Sequence, residues 1–283
     1  MRALTVGRQR ADASWPGLVL AIGAVAAVTT IAQAPRSLPG WASVALAAGI
    51  YAGSHLLRVA RLLVLAGDAE LSVRRLAGAH LLSAPAGFLP FKLGELVRVT
   101  AVAKAGAGAA GAIRTLWIER TFDAGVIALA GVLAGTPALA TWVAVGWLLA
   151  TGFALAVLPE NVRLVKRWLI RRYTTRWLVS VLPWIHRVGA ELDRGRGQVR
   201  GRLGTLILLT AAIWSAEVAS LVLLADGPLG SASVALLTAL SDALVPVGGG
   251  SPGASERHAL LAAIVTLGLG GIGLVPFLRE GRR

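Results

Sequence analysis

Six stretches of this chain run for about twenty residues with few charges: Trp15 to Ala34, Trp41 to Ala66, Thr115 to Gly135, Ala138 to Leu158, Leu203 to Ala225 and His258 to Leu278. About twenty apolar residues in a helix cross the roughly 30 Å hydrocarbon layer of a bilayer. There the backbone must satisfy its own hydrogen bonds, so spans made of such stretches are helical. At 283 residues, with 56% hydrophobic and only 15% charged residues, the chain is too apolar for a soluble domain. The expected fold class is an all-α integral membrane protein with about six transmembrane helices, a single polytopic membrane domain over residues 1–283. The absence of Cys excludes disulfides, a thiolate nucleophile and a Cys-ligated metal. The net charge of +14 sits mostly between the apolar blocks, where positive-inside topology and anionic headgroups account for it without nucleic acid.

Arg2, Arg8 and Arg10 precede the first run, and Ala32-Gln33-Ala34 resembles a signal-peptidase site. Because the run is longer than a usual signal core, a retained first span is expected. His55, Arg58 and Arg61 recur every three residues near one end of the second run, on one helical face. Arg58 and Arg61 either snorkel to the cytoplasmic surface or serve a structural role inside.

Two segments do not fit plain spans. In Leu76 to Arg98, Pro85, Gly87, Pro90 and Gly94 interrupt the helix, and Lys92, Glu95 and Arg98 are too polar to face lipid. Basic residues flank the segment on both sides, with Lys104 and Arg114 beyond it, spaced by the small-residue loop AGAGAAGA. That pattern favours a re-entrant hairpin, 76–98, entering from the cytoplasm. Residues 159–203 are rich in Arg with interspersed Trp, as in amphipathic helices lying on the cytoplasmic membrane surface. Residues 231–255 are short, apolar and end in VPVGGGSPGASER, which reads as a second re-entrant broken-helix hairpin of opposite sense. The halves, about 15–158 and 204–278, then form an inverted repeat whose two breaks meet at a binding site.

A half-helix that starts inside the membrane presents free N–H groups and its positive dipole end, suited to phosphate or carboxylate. Gly248, Gly249 and Gly250 let such a group approach the main chain. Arg98 and Arg257 offer two-pronged phosphate contacts and Lys92 a point charge. Glu95 and Glu256 hold those bases or carry a proton or a cationic headgroup. Glu119 and Asp123 share a helix face with Arg120 beside them, as an ion-pair latch, for example Glu119 to Arg98, or as ligand contacts. Glu217 and Asp242 are single acids without a motif. Four His and no H-E-x-x-H argue against a zinc site, and no G-x-x-x-x-G-K-[ST] is present, so neither a metal, a cofactor nor ATP drive is expected.

HLLRVARLLVLAG, PFKLGELVRVTAVAKAG, WIERTFDAGVIAL and VPVGGGSPGASERHALL together resemble the transmembrane-domain family of lysylphosphatidylglycerol synthases, over roughly residues 50–275. The resemblance implies a polytopic protein that moves a phospholipid between leaflets. It carries over to Pro90, Gly94, Glu95 and Arg98, to Glu119, Arg120 and Asp123, and to Gly248, Gly249 and Glu256. Phe91-Lys92 stands where family members often have Gly-Gly, which implies a less open first loop. The length leaves no room for a soluble aminoacyl-transfer domain, so the chain is expected not to be an enzyme.

The expected function is therefore a membrane lipid transporter or flippase for a phospholipid or polyprenyl-linked lipid. The alternative is a non-catalytic scaffold for a glycosyltransferase or lipid-modifying synthase partner. Either way the chain is expected to be multi-pass in a bacterial plasma membrane with both termini cytoplasmic.

Overall fold

The structure is a computed structural model and describes residues 2–33, 40–66, 72–89, 93–133, 142–143, 145–153, 164, 167, 176–224 and 254–280. Among them there is no strand. The helices are α1 (Arg2–Gln33), α2 (Trp41–Ala66), α3 (Val73–Ser83), α4 (Leu93–Val102), α5 (Gly108–Leu133), α6 (Arg176–Leu224) and α7 (Ala254–Glu280). Among the described residues five helical stretches are long and apolar enough to cross a membrane: Trp15–Ala32, Trp41–Ala66, Leu93–Val126, Asp193–Leu224 and Arg257–Arg279. The chain is an all-α integral membrane protein. Of the expected span at 138–158, only 142–143 and 145–153 are described, all helical but for the gap at 144. The expected second hairpin, 231–255, lies outside the described residues except for its last two positions, which begin α7.

The chain forms two compact units, Met1–Ala112 with Leu209–Arg283, and Ile113–Leu208. This division by packing cuts across the sequence halves.

In the first unit, α3 and α4 are the inner pair. Eleven and ten residues long, they rise about 16 and 15 Å before their bends. Helix α3 is half of what a crossing needs, whereas α4 runs on through Ala103–Ala107 into α5, so the expected hairpin's second arm begins the spanning stretch Leu93–Val126. Pro85 ends α3 by removing a donor, and Ala84–Phe88 tightens into a 3₁₀ turn closed by Leu89 N–H donating to Ala86 O at 3.0 Å. Close approach then requires glycine at one position above all. A Cβ on Gly94 would sit 2.1 Å from the Ala86 carbonyl oxygen, so the start of α4 lies directly on the turn. Gly273 of α7 meets α3 as closely, its ideal Cβ 2.6 Å from Leu82 N. Without a hydrophobic force between helices in lipid, small residues that let backbones touch are what holds such a pair.

The same short pair is the centre of the apolar core. Trp15 and Val19 of α1, Leu62 of α2, Leu76, Ala79 and Leu82 of α3, and Ala101 and Val102 of α4 are buried together. Trp15 meets Phe277 of α7 edge-on, ring centroids 4.9 Å apart, and Lys104 lies over its face at 5.8 Å. The first hydrophobic run is thus packed into the unit along one side.

The small-residue stretch AGAGAAGA is not a loop. Ala103–Ala107 form a π-helical turn and α5 begins at Gly108, with Gly106 at φ 124° and Gly108 at φ 68° supplying the left-handed backbone that kinks the run. Alanine is the best helix former, so a stretch of Ala and Gly keeps its backbone bonds and concentrates the bend at the glycines.

In the second unit, α5 from Ile113 onward accompanies residues 145–153 and α6 as far as Leu208. Gly195 of α6 faces Arg114 and Ile118, with 3.6 Å between its ideal Cβ and their side chains. The C-terminal part of the basic segment 159–203 is helical from Arg176, with a break at Arg202 (φ −133°, ψ 15°) before the apolar part of α6.

Candidate functional site

On α2, Tyr51, Ser54, His55, Arg58 and Arg61 fall three or four apart and so line one face. His55 is about 21 Å along the 26-residue helix from Trp41, past its middle, rather than at an end. Arg58 does not snorkel. Its guanidinium pairs with the Glu217 carboxylate of α6, the two side chains only 13% and 16% exposed. Ser54 Oγ lies 3.5 Å from the same carboxylate and 2.8 Å from Tyr51 O. Arg61 is fully buried, and its Nη1 donates to Thr210 Oγ1 at 3.1 Å. A lone charge in this setting would cost at least about 2.5–3.5 kcal/mol, which is why both arginines are held by polar groups from α6.

Facing α2 across the unit is His80 of α3, its ring centroid 5.7 Å from that of His55 and the planes tilted by 49°. Both rings are buried, and among the described residues none of their four nitrogens has a hydrogen-bond partner. On the other side of His55, Tyr51 stands edge-on at 5.1 Å and in turn meets His258 of α7 at 5.2 Å. His258 Nδ1 lies 3.5 Å from Ser220 Oγ, and Arg257 beside it reaches Leu224 O at 3.4 Å.

Glu95 and Arg98 lie one turn apart on α4, both half-buried. Arg98 acts electrostatically on both His55 and His80, as does Arg58; Arg61 acts on His80. The first unit therefore gathers four guanidinium groups, two carboxylates and three imidazoles from α2, α3, α4, α6 and α7. The arrangement offers many donors to an acceptor-rich group and little to a cation. Among the described residues no group of three or more His, Asp or Glu is placed to hold a metal ion.

The remaining site residues expected from sequence fall elsewhere. Glu119, Arg120 and Asp123 belong to the second unit, where Glu119 and Asp123 are buried and Arg120 Nη1 donates to Asp123 Oδ2 at 3.0 Å. Thr121 on the same helix accepts from Trp147 Nε1 at 3.2 Å. Arg114 pairs with Glu191, which also receives Arg194 at 2.6 Å. Pro90, Lys92, Gly248, Gly249 and Gly250 lie outside the described residues, and Glu256 is placed only as a backbone position in the first turn of α7.

Tyr51, His80 and His258 were not among the residues expected from sequence, and Glu217 was singled out only as an isolated acid. For Tyr51 the signal was present: it extends the His55, Arg58, Arg61 periodicity by one turn. For His80 and Glu217 there was none, since their partners are on other helices. The family model described as the lysylphosphatidylglycerol synthase TM region matches residues 14–271. No curated protein and no solved structure matches the chain. With its polytopic helical fold and a match over nearly its whole length, the chain belongs to the lysylphosphatidylglycerol synthase TM region family.

Proposed function

We propose that this protein is a lipid transporter of the cell membrane, which moves the charged headgroup of a phospholipid or lipid-linked compound between leaflets while its tails stay in the bilayer. One observation carries the reading: the half-length α3 turns back through the Ala84–Phe88 bend onto the start of α4, whose Arg98 acts on the buried His55 of α2. A half-span helix of this kind is a natural re-entrant element, and its polar groups are tolerable at membrane depth only against protein or water. The family supports a lipid-related membrane role.

In this reading Arg98, with Arg257 and Lys92, contacts phosphate, and Glu95 and Glu256 orient those bases or carry protons, while Glu119, Arg120 and Asp123 of the second unit act as the ion-pair latch of their own helix. The chain acts as a transporter and not as an enzyme, and transport runs downhill or is coupled to an ion. The two termini are cytoplasmic. Charge reversal at either site, Glu95→Lys or Arg98→Glu, is expected to abolish headgroup translocation in reconstituted vesicles while the protein stays folded. Normal translocation by both variants rejects the site.

The second reading, a scaffold for a glycosyltransferase or lipid-modifying enzyme, draws on the exposed Arg187, Arg194, Arg196 and Arg200 of α6. It predicts co-purification of a partner that is lost when these are neutralised, with lipid distribution unaltered.

A further inference from the structure

Among the described residues, His55 and His80 are both buried and none of their four ring nitrogens has a hydrogen-bond partner. A neutral imidazole carries one donor and one acceptor, and leaving such groups buried and unmade costs about 1–3 kcal/mol each. The two rings come from two helices, α2 and α3, that the close packing of α3 on α7 holds in place. Tyr51 walls one side with its ring.

Charge decides what can enter. Arg58, Arg61 and Arg98 all act on His80, and Arg58 and Arg98 on His55. Against them stand Glu217, which pairs with Arg58, and Glu95 of α4. A cation arriving beside the two rings meets three guanidinium groups. An oxyanion meets the same groups as attraction, and its acceptor-only oxygens can take N–H donors from imidazole and guanidinium alike. The oxyanion a bilayer supplies in quantity is the phosphodiester of its lipids.

We propose that His55 and His80 are the neutral donors of a buried phosphate-binding site between α2, α3 and α4, with Arg98 supplying charge and the Arg58–Glu217 pair fixing the position of the α2 face. The proposal rests on the transporter reading for the source of the phosphate, a lipid headgroup, while the site chemistry is the same for free inorganic phosphate. Neutral donors select an anion by geometry and hold it less tightly than arginines alone would, which suits a group that must leave again.

The test uses the full chain, labelled with 15N-histidine, in a maltoside detergent that carries no phosphate. His55→Phe and His80→Phe variants assign the ring resonances. Saturable movement of both with short-chain phosphatidylglycerol, and little with inorganic phosphate or short-chain diacylglycerol, is the expected result. Equal movement with inorganic phosphate supports the site and assigns it to soluble phosphate. No movement with either overturns it, and this outcome is read on the wild-type protein whether or not a variant folds. His80→Leu is expected to weaken short-chain phosphatidylglycerol binding about tenfold, as the loss of one hydrogen bond to a charged group does. His80→Gln, which keeps a donor, should recover most of it. The two claims fail separately: histidine movement with normal translocation by Glu95→Lys and Arg98→Glu keeps the phosphate site and removes the route, whereas translocation that needs Arg98 without histidine movement keeps the transporter and removes the site.

Discussion

The two units bury charge in different ways. In Ile113–Leu208, Arg120 answers Asp123 and Arg194 answers Glu191, each three residues along one helix, while Arg114 of α5 reaches Glu191 of α6, 77 residues away. The local pairs form as soon as the helix does, and their worth is modest. In the unit made of the chain ends, Arg58 and Arg61 of α2 reach Glu217 and Thr210 of α6, 159 and 149 residues away in sequence. These pairs exist only once the helices have packed. Beside them, two histidines are left with unused nitrogens among the described residues. Local pairing is what a helix needs to hold its own charges in the membrane. Long-range pairing that still leaves donors over is what a binding surface needs. The contrast is one of degree, and the proposed transport reading draws on the cross-helix charges of the first unit.

Breaking the long-range pair should have the largest effect. Glu217→Leu leaves Arg58 buried and without its carboxylate, and removing one partner of a buried pair destabilises by about 3–5 kcal/mol. A large drop in melting temperature, or loss of monodisperse protein, is expected in detergent; the double variant Arg58→Leu, Glu217→Leu should recover much of it. If the single and double variants melt alike, Glu217 is not what secures Arg58.

Next comes the close contact that closes the short hairpin. Gly94→Val places carbon where only 2.1 Å separates the ideal Cβ from Ala86 O, so α4 must move off the turn. Overpacking of this kind destabilises by about 1–3 kcal/mol. Translocation should be lost even where the protein survives purification, and an active Gly94→Val would show that the fit of α4 on the turn does not matter.

In the second unit the effects should be smaller. Asp123→Asn removes the charge from a carboxyl that is 3% exposed, while its partner Arg120 is 34% exposed and can turn to water. A fall of a few degrees in melting temperature is expected, with headgroup translocation retained; lost translocation at unchanged stability would instead make Asp123 a ligand contact. Arg194→Ala should do least. Its side chain is 65% exposed, and pairs of that kind contribute about 0–1 kcal/mol. A large destabilisation here would erase the contrast between the units.

Most of the spans were legible because length and apolarity are enough to mark a crossing helix. The break at residues 84–89 was legible from Pro85 and Gly87, whose backbone chemistry acts whatever the surroundings. AGAGAAGA was read as a loop because Gly signals turns, yet the helical pattern of alanine prevailed and only Gly106 and Gly108 left it. The site itself was half visible. Glu95 and Arg98 stood out as charges in an apolar stretch, and the spacing of His55, Arg58 and Arg61 showed a face without showing what it faces. Glu217 and His80 were hidden because tertiary packing alone gives them partners, and no local pattern records a contact between distant helices. The grouping of Glu95 and Arg98 with Glu119, Arg120 and Asp123 followed motif order along the chain, whereas packing assigns the two sets to different units.

The central claim is that the charges of the first unit carry the headgroup and those of the second hold the fold. Headgroup-labelled phosphatidylglycerol in vesicles containing the purified chain measures this directly, through the fraction of label that crosses from the inner leaflet and becomes accessible to a membrane-impermeant quencher. Wild type and Asp123→Asn should both translocate, and Arg98→Gln, equally well folded, should fall to the level of protein-free vesicles. Translocation that persists in Arg98→Gln and disappears in Asp123→Asn would contradict the account.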